Sequence, residues 1–326
     1  MDKNLDYTLM YRVAKAYYQD QRTQQEIADM ENFSRSQVSR LLKRALDEGL
    51  VTYKLVFPGM VDEVGLAARL EASLGLERVV LVPSFFTDYA KADRRAIYKN
   101  LAMGAAEQIP RVLADAKTIG VGWGRSVYNT SLNLRPHPSV ADRIFVPLIG
   151  YMGDNNPALQ INIIVDRFGQ MFYANRKYIN LPSLQSCRGY DMNWHQLQDL
   201  QKKWDALDAA VVGIGASPVD DWSLLKEFPD NYRDKVLASA ARGDILSQFF
   251  TADGKTYNVD DFGCNVQLIA LKLEKLRSVK NVIAIAAGIE KYEAICVAAE
   301  KGYIKTLITD FNTADGIIQL KGAISS

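Results

Sequence analysis

Apolar residues recur along the chain in two different rhythms, and the change comes near residue 58. In residues 1–57 they fall three and four apart, the spacing of amphipathic helices. Ile27, Ala28 and Met30 make one helical face. Val38, Leu41, Leu42 and Ala45 make a second, at i, i+3, i+4 and i+7. Only Glu31-Asn32-Phe33 separates the two, which is room for a tight turn. Asn32 stands where that turn needs a left-handed residue, a conformation asparagine tolerates better than most. Ala28 is small where two helices must approach closely. Thr23 and Ser34 are N-cap residue types at the two helix starts. With a further helix over Leu5–Asp20 to complete its core, the pattern predicts a helix-turn-helix.

Pro58-Gly59-Met60-Val61-Asp62-Glu63 is the first strong break. Short β-branched runs alternate with amphipathic segments beyond it. The runs predict strands at Val79–Val82, Thr118–Val121, Ile144–Val146, Ala209–Ile214, Val282–Ala286 and Ile304–Ile308. Helices are predicted at Asp93–Ile109, Ala158–Tyr173, Val266–Leu276, Ile289–Glu300 and Thr313–Leu320. The fold class expected is α/β: a small all-α helix-turn-helix domain over 1–57, and an α/β domain with a mostly parallel sheet over 58–326.

Composition narrows the function classes. The 326 residues carry 39 basic and 38 acidic side chains, so any nucleic-acid contact has to come from a local patch. Three cysteines lie far apart and only two histidines occur. No zinc ligand set, metal site, disulfide framework or His-based catalytic constellation is indicated. No run is long and apolar enough for a membrane span or a signal peptide, which points to a reduced, cytoplasmic setting.

The local patch sits on the second helix of the helix-turn-helix. From Ser34 to Arg44 there are four basic residues and no acidic one. Arg pairs bidentately with guanine and Gln with adenine in a major groove, and the start of a recognition helix faces base edges. Arg35, Ser36, Gln37 and Arg40 are therefore the candidates for reading sequence. Lys43 and Arg44, a turn later, suit the phosphate backbone. Ser34, Ser39, Thr23 and Gln24 complete the expected DNA-facing set. A lone basic helix would be read as a solvated face; here the two-helix spacing, the small Ala28 and the polar outward set occur together. Such contacts gain from doubling, so a homo-oligomer is expected.

In the second domain, a predicted strand ends at Val121 and runs into Gly122-Trp123-Gly124-Arg125-Ser126. Glycines let backbone N–H groups approach an anion, and a following helix N-terminus adds its dipole. A glycine turn that merely joins strand to helix fits as well. Gln160 and Asn162, Gly213–Ser217, Asp244 and Lys291 also follow predicted strands or loops. Ligands of open parallel sheets gather at strand carboxyl ends. There Asp244 suits hydroxyls, Lys291 a phosphate or carboxylate, and Gln160 and Asn162 either. Structural roles remain open for each: Asn162 can bond backbone and Asp244 can cap a turn.

These pieces together resemble the SorC/DeoR-like sugar-binding transcriptional regulators over nearly the whole chain. The resemblance rests on YYQDQRTQQEIADMENFSRSQVSRLLKRALDEGLV, LEASLGLERVVLVP, IGVGWGRSVY, VPLIGYMGDNNPALQINIIVDRF, WDALDAAVVGIGA, RGDILSQFF, VIAIAAGIEKYEAI and LITDFNTADGII, in that order. It implies an effector domain similar in fold to ribose-5-phosphate isomerase, glucosamine-6-phosphate deaminase and CoA transferases. It implies operator DNA and a phosphorylated sugar or polyol as partners, no cofactor, and a dimer or tetramer. On the family's pattern, Gly122, Trp123, Gly124, Arg125 and Ser126 form the glycine-rich effector loop. Gln160 and Asn162 are its QxN element, Asp244 a hydroxyl ligand and Lys291 a phosphate ligand. Ser126 stands for a usual threonine, Ala287 for the first of two glycines, and Tyr151-Met152 for a smaller pair. The competing class is a sugar-phosphate isomerase or deaminase. It needs a positioned base and usually a proton shuttle, and no histidine lies in any of these motifs. A nonspecific DNA-compacting protein does not suit the neutral charge or the large α/β domain.

Overall fold

The computed structural model describes residues 3–51, 63–84, 86, 88–138, 140–151, 159–186, 194–218, 228, 230–257, 259 and 266–325. The chain divides into two compact units, Met1–Met60 and Val61–Ser326.

The first unit is three helices: α1 (Lys3–Tyr18), α2 (Gln24–Glu31) and α3 (Arg35–Asp47). Their apolar stripes bury Val13, Ala14, Ile27, Ala28, Val38, Leu42 and Ala45 in one core. Capping boxes start α2 at Thr23 with Glu26, and α3 at Ser34 with Gln37. Asn32 ends α2 in the left-handed region, at φ 55° and ψ 44°. Met30 does not join the core as its spacing suggests: it lies on the far side of Ile27 from Ala28 and is 54% exposed. Its sulfur instead accepts a hydrogen bond from Arg22 at 3.2 Å. Gly49 follows α3 at φ +75°. The residues from Thr52 through the Pro58-Gly59 break lie outside the described residues.

The second unit is built on seven strands: β1 (Arg78–Val82), β2 (Thr118–Val121), β3 (Ile144–Pro147), β4 (Asn175–Arg176), β6 (Ala209–Gly213), β11 (Asn281–Ile285) and β12 (Thr306–Asp310). They pair in the order β1-β12-β11-β6-β2-β3-β4, every pair parallel. All six strands expected from the pattern lie in this sheet. Their residues are buried on both faces, which is why they read as continuous apolar runs. Helices α4 (Glu63–Leu74), α5 (Arg94–Val112), α6 (Arg125–Asn133), α7 (Ile161–Met171), α8 (Trp194–Asp205), α11 (Tyr292–Glu300) and α12 (Phe311–Ser325) alternate with the strands. The second and third of these begin at residues that matter below. The helix expected over 158–173 is described from residue 161; Ala158 lies outside the described residues.

Two further sheets are antiparallel: β5 (Leu184–Ser186) with β10 (Val266–Leu268), and β7 (Ala241–Ile245) with β8 (Gln248–Thr251) and β9 (Thr256–Tyr257). The three-stranded sheet shares a small aromatic core, Phe228, Tyr232 and Phe249, with α9 (Asp230–Leu237). The helix expected over Val266–Leu276 is thus a correction. Residues 266–268 are strand β10, and only Leu273–Leu276 is helical, as α10. The pairing demand of β5 overrides the local helical spacing.

Arg143 is almost fully buried and ties the sheet to the end of α5. Its guanidinium donates to the carbonyls of Leu113, Ala114 and Ala116 at 2.7–2.9 Å and lies over the Phe172 ring. Among the described residues, no helix is long and apolar enough to cross a membrane, and no cluster of metal-ligating side chains occurs. Cys296 is a buried free thiol; Cys187 and Cys264 lie outside the described residues.

Candidate functional site

The carboxyl ends of three neighbouring strands, β11, β6 and β2, open into one cavity of about 190 Å³. From β2 come Trp123, Gly124, Arg125 and Ser126; from β6 Gly213–Ser217; from β11 Glu290 and Lys291. Arg94 and Tyr98 on the first turns of α5, Leu159, and Asp244 and Leu246 at the β7 hairpin complete the wall. The site is thus at the sheet edge where ligands of parallel sheets gather.

Each turn has a local cause. Gly124 is the N-cap of α6 at φ +118°, a conformation open only to glycine. The first-turn N–H groups of α6 have no intrahelical acceptor, which suits an anion. Gly288 at φ +122° starts the short 3-10 turn Ile289–Lys291 in the same manner, and its N–H donates to the Thr313 hydroxyl at 3.0 Å. Asp244 is the penultimate residue of β7, which ends at Ile245 before a two-residue hairpin turn. Both turn residues, Leu246 and Ser247, are left-handed, at φ 53° and 64°. Non-glycine residues pay strain there. The Asp244 carboxylate accepts the Ser247 N–H at 3.1 Å and holds the turn.

Charge is concentrated here. Arg94, Arg125 and Lys291 line the cavity together with Asp244 and Glu290. Lys291 is only 8% exposed, and its ammonium lies 4.7 Å from the centre of the Tyr98 ring. Burial drives its pKa down to about 8, against the pull of Glu290 and Asp244. Burial pushes Asp244 up to about 7, against the Ser247 N–H and Lys291. The Tyr98 hydroxyl donates to Glu290 at 2.9 Å, and Arg94 stands 3.8 Å from the same carboxylate oxygen.

Of the residues named from sequence, Trp123, Gly124, Arg125, Ser126, Gly213–Ser217, Asp244 and Lys291 meet in this cavity. Gly122 is not among its walls. It lies beneath Leu246, whose side chain would stand 2.9 Å from an added Cβ, so its glycine serves close packing. Asn162 exchanges two hydrogen bonds with the backbone of Ile179 and holds that loop to α7. Gln160 is the N-cap residue of α7 beside Leu159, and it does not line the cavity either. Arg94, Tyr98 and Glu290 were not singled out from sequence. Only tertiary packing brings the start of α5 to the sheet edge; the adjacency of Glu290 to Lys291 was the one available signal.

On the first unit, α3 turns Arg35, Ser36, Gln37, Ser39, Arg40, Lys43 and Arg44 outward, all exposed, opposite buried Val38, Leu42 and Ala45. Ser36, Arg40 and Lys43 form a stripe along the middle of this face. Ser34 and Gln37 are engaged with each other in the capping box. Arg44 pairs with Glu48 at 2.5 Å, and Thr23 bonds Glu26. Gln24 begins α2, half-buried.

Comparison with known proteins agrees over both units. Residues 60–319 match the family model of the sugar-binding domain. The sorbitol operon regulator of Klebsiella pneumoniae is 28% identical over 327 residues, covering 98% of this chain and 100% of that protein. The deoxyribonucleoside regulator of Bacillus subtilis is 28% identical, covering 95% and 97%. The transcriptional regulator LsrR of Escherichia coli O157:H7 is 29% identical, covering 94% and 93%. The crystal structure of the full-length Klebsiella regulator SorC matches with a TM-score of 0.75 at 27% identity, over 96% of this chain and 99% of that one.

Proposed function

The chain belongs to the sugar-binding domain family and is a transcriptional regulator of that family, and we propose that a phosphorylated sugar or polyol in the sheet-edge cavity sets how tightly α3 holds operator DNA. One observation carries the reading: a buried lysine, two arginines and a buried aspartate converge on one cavity in a chain that also carries a basic helix-turn-helix. The three cations suit a phosphate, and Asp244 suits the hydroxyls of a polyol. Arg35, Ser36 and Arg40 would read base edges, while Ser39 and Lys43 would meet phosphates. Two copies of α3 would match a two-fold operator, so the working state is a homo-oligomer, a dimer or a tetramer.

Linkage fixes the logic. An effector that binds one arrangement of the protein better must change operator affinity by the same factor. Its relatives are regulators, and the chain is read as one rather than as an isomerase or deaminase. The test is fluorescence anisotropy of a labelled upstream fragment titrated with the protein, with and without a panel of sugar phosphates. Selective binding that at least one compound shifts supports the reading. No preference over random duplex under any condition overturns it.

A further inference from the structure

Glu290 is an acid in the cavity whose charge opposes an incoming anion and which pairs with one of the cavity's own cations, Arg94. Its carboxylate accepts the Tyr98 hydroxyl at 2.9 Å and lies 3.8 Å from the Arg94 guanidinium. The same Tyr98 carries the Lys291 ammonium against its ring face. Gly288 leaves room for Glu290: an added Cβ there would come within 2.7 Å of the Glu290 carboxylate, so the side chain folds back over its own turn. Asp244, the other acid, accepts the Ser247 N–H at the β7–β8 hairpin. Arg94 is 71% exposed at its side chain and reaches the cavity from the start of α5.

We propose that Glu290 is a resident counter-ion in the anion subsite, one that the effector's anionic group must displace from Arg94 and that thereby lowers affinity for anions. The inference rests on the cavity being an anion site, as argued above. Until an anion arrives, the carboxylate keeps Arg94 and Tyr98 in place. When one binds, Arg94 turns from Glu290 to the anion and the carboxylate stays behind as a repulsive neighbour. Uncharged ligands do not compete for Arg94, so Glu290 acts selectively on charged ones.

Glu290→Gln isolates this effect, because the amide oxygen still accepts from Tyr98 while the charge is gone. The full-length protein is titrated calorimetrically with inorganic phosphate, at constant ionic strength set by chloride. Glu290→Gln binds phosphate about tenfold tighter than the parent, the scale of one nearby charge partly shielded by solvent. Arg94→Gln binds it more weakly, and combining the two variants gives less than the product of the separate effects, since the contest is over Arg94. Glu290→Ala reproduces the gain if the carboxylate, not its packing, is the cause, and unliganded melting curves verify that each variant folds. Phosphate affinity unchanged or weakened in both Glu290 variants, while Arg125→Ala lowers it, overturns this inference alone. Phosphate binding that no cavity variant alters, or none in any protein, overturns the anion-site reading with it.

Discussion

Two buried ionisable groups of opposite charge type should give the cavity a pH response. Lys291 titrates near 8, because burial opposes its cationic form. It is charged at pH 7 and neutral well above 8, so affinity for an anionic ligand should fall as pH rises through about 8. Calorimetry with sulfate, whose charge is constant over the range, should show this decline from pH 7.5 to 9.5, and Lys291→Met should bind weakly with a shallower slope there. Asp244 has the complementary sign. Its pKa is raised to about 7, so the folded protein favours the neutral acid. That contribution is complete below the ordinary carboxylate range and is lost as pH climbs to about 7. Asp244→Asn keeps an acceptor for the Ser247 N–H without the buried charge. Its melting temperature relative to the parent should therefore be higher at pH 8 than at pH 5. Arg143 has a different task. Replacing it with Leu strands three carbonyls near the end of α5, and stability by urea unfolding should drop by roughly 3 kcal/mol.

At the level of elements, local rules were legible wherever local chemistry decided the outcome. Asn32 took the left-handed position its turn requires, and Ser34 capped α3. Ser34→Ala should cost about 1 kcal/mol, seen as faster hydrogen exchange in the first turn of α3 and weaker DNA binding. The six apolar strands were readable because both their faces are covered. The β7–β8 hairpin was not: its turn is Leu246-Ser247, without the Asn-Gly or Gly that marks such turns in sequence. Strand β10 was hidden inside a helical spacing, and α4, α8 and α9 were not foreseen. The site followed the same divide. Gly124, Arg125, Ser126 and Lys291 follow strand ends and could be found along the chain, while Asp244 lies within β7. Arg94 and Tyr98 enter only through the packing of α5, which no spacing reveals. Gln160 and Asn162 sit close in sequence to a wall residue, Leu159, yet Asn162 is committed to the Ile179 backbone.

For the molecule as a whole, the two units make separable predictions. Arg40→Ala should weaken operator binding by roughly 1–3 kcal/mol if it reads a base, measured by anisotropy at fixed salt. Lys291→Met should leave that binding intact and abolish its response to effector. The sheet order carries one more consequence, concerning synthesis. The first strand of the second unit, β1, pairs only with the last, β12; Ser84 and Asn312, which lie just past the two strands and bond to each other, are 228 positions apart. The three helices of the first unit pack on one another within about 50 residues of sequence, and such units form early and quickly. A nascent chain emerging from the ribosome would therefore possess its DNA-gripping part well before the sensing part could close. Translation halted before residue 306 would release a polypeptide with an intact three-helix unit and a second unit that lacks the strand β1 pairs with.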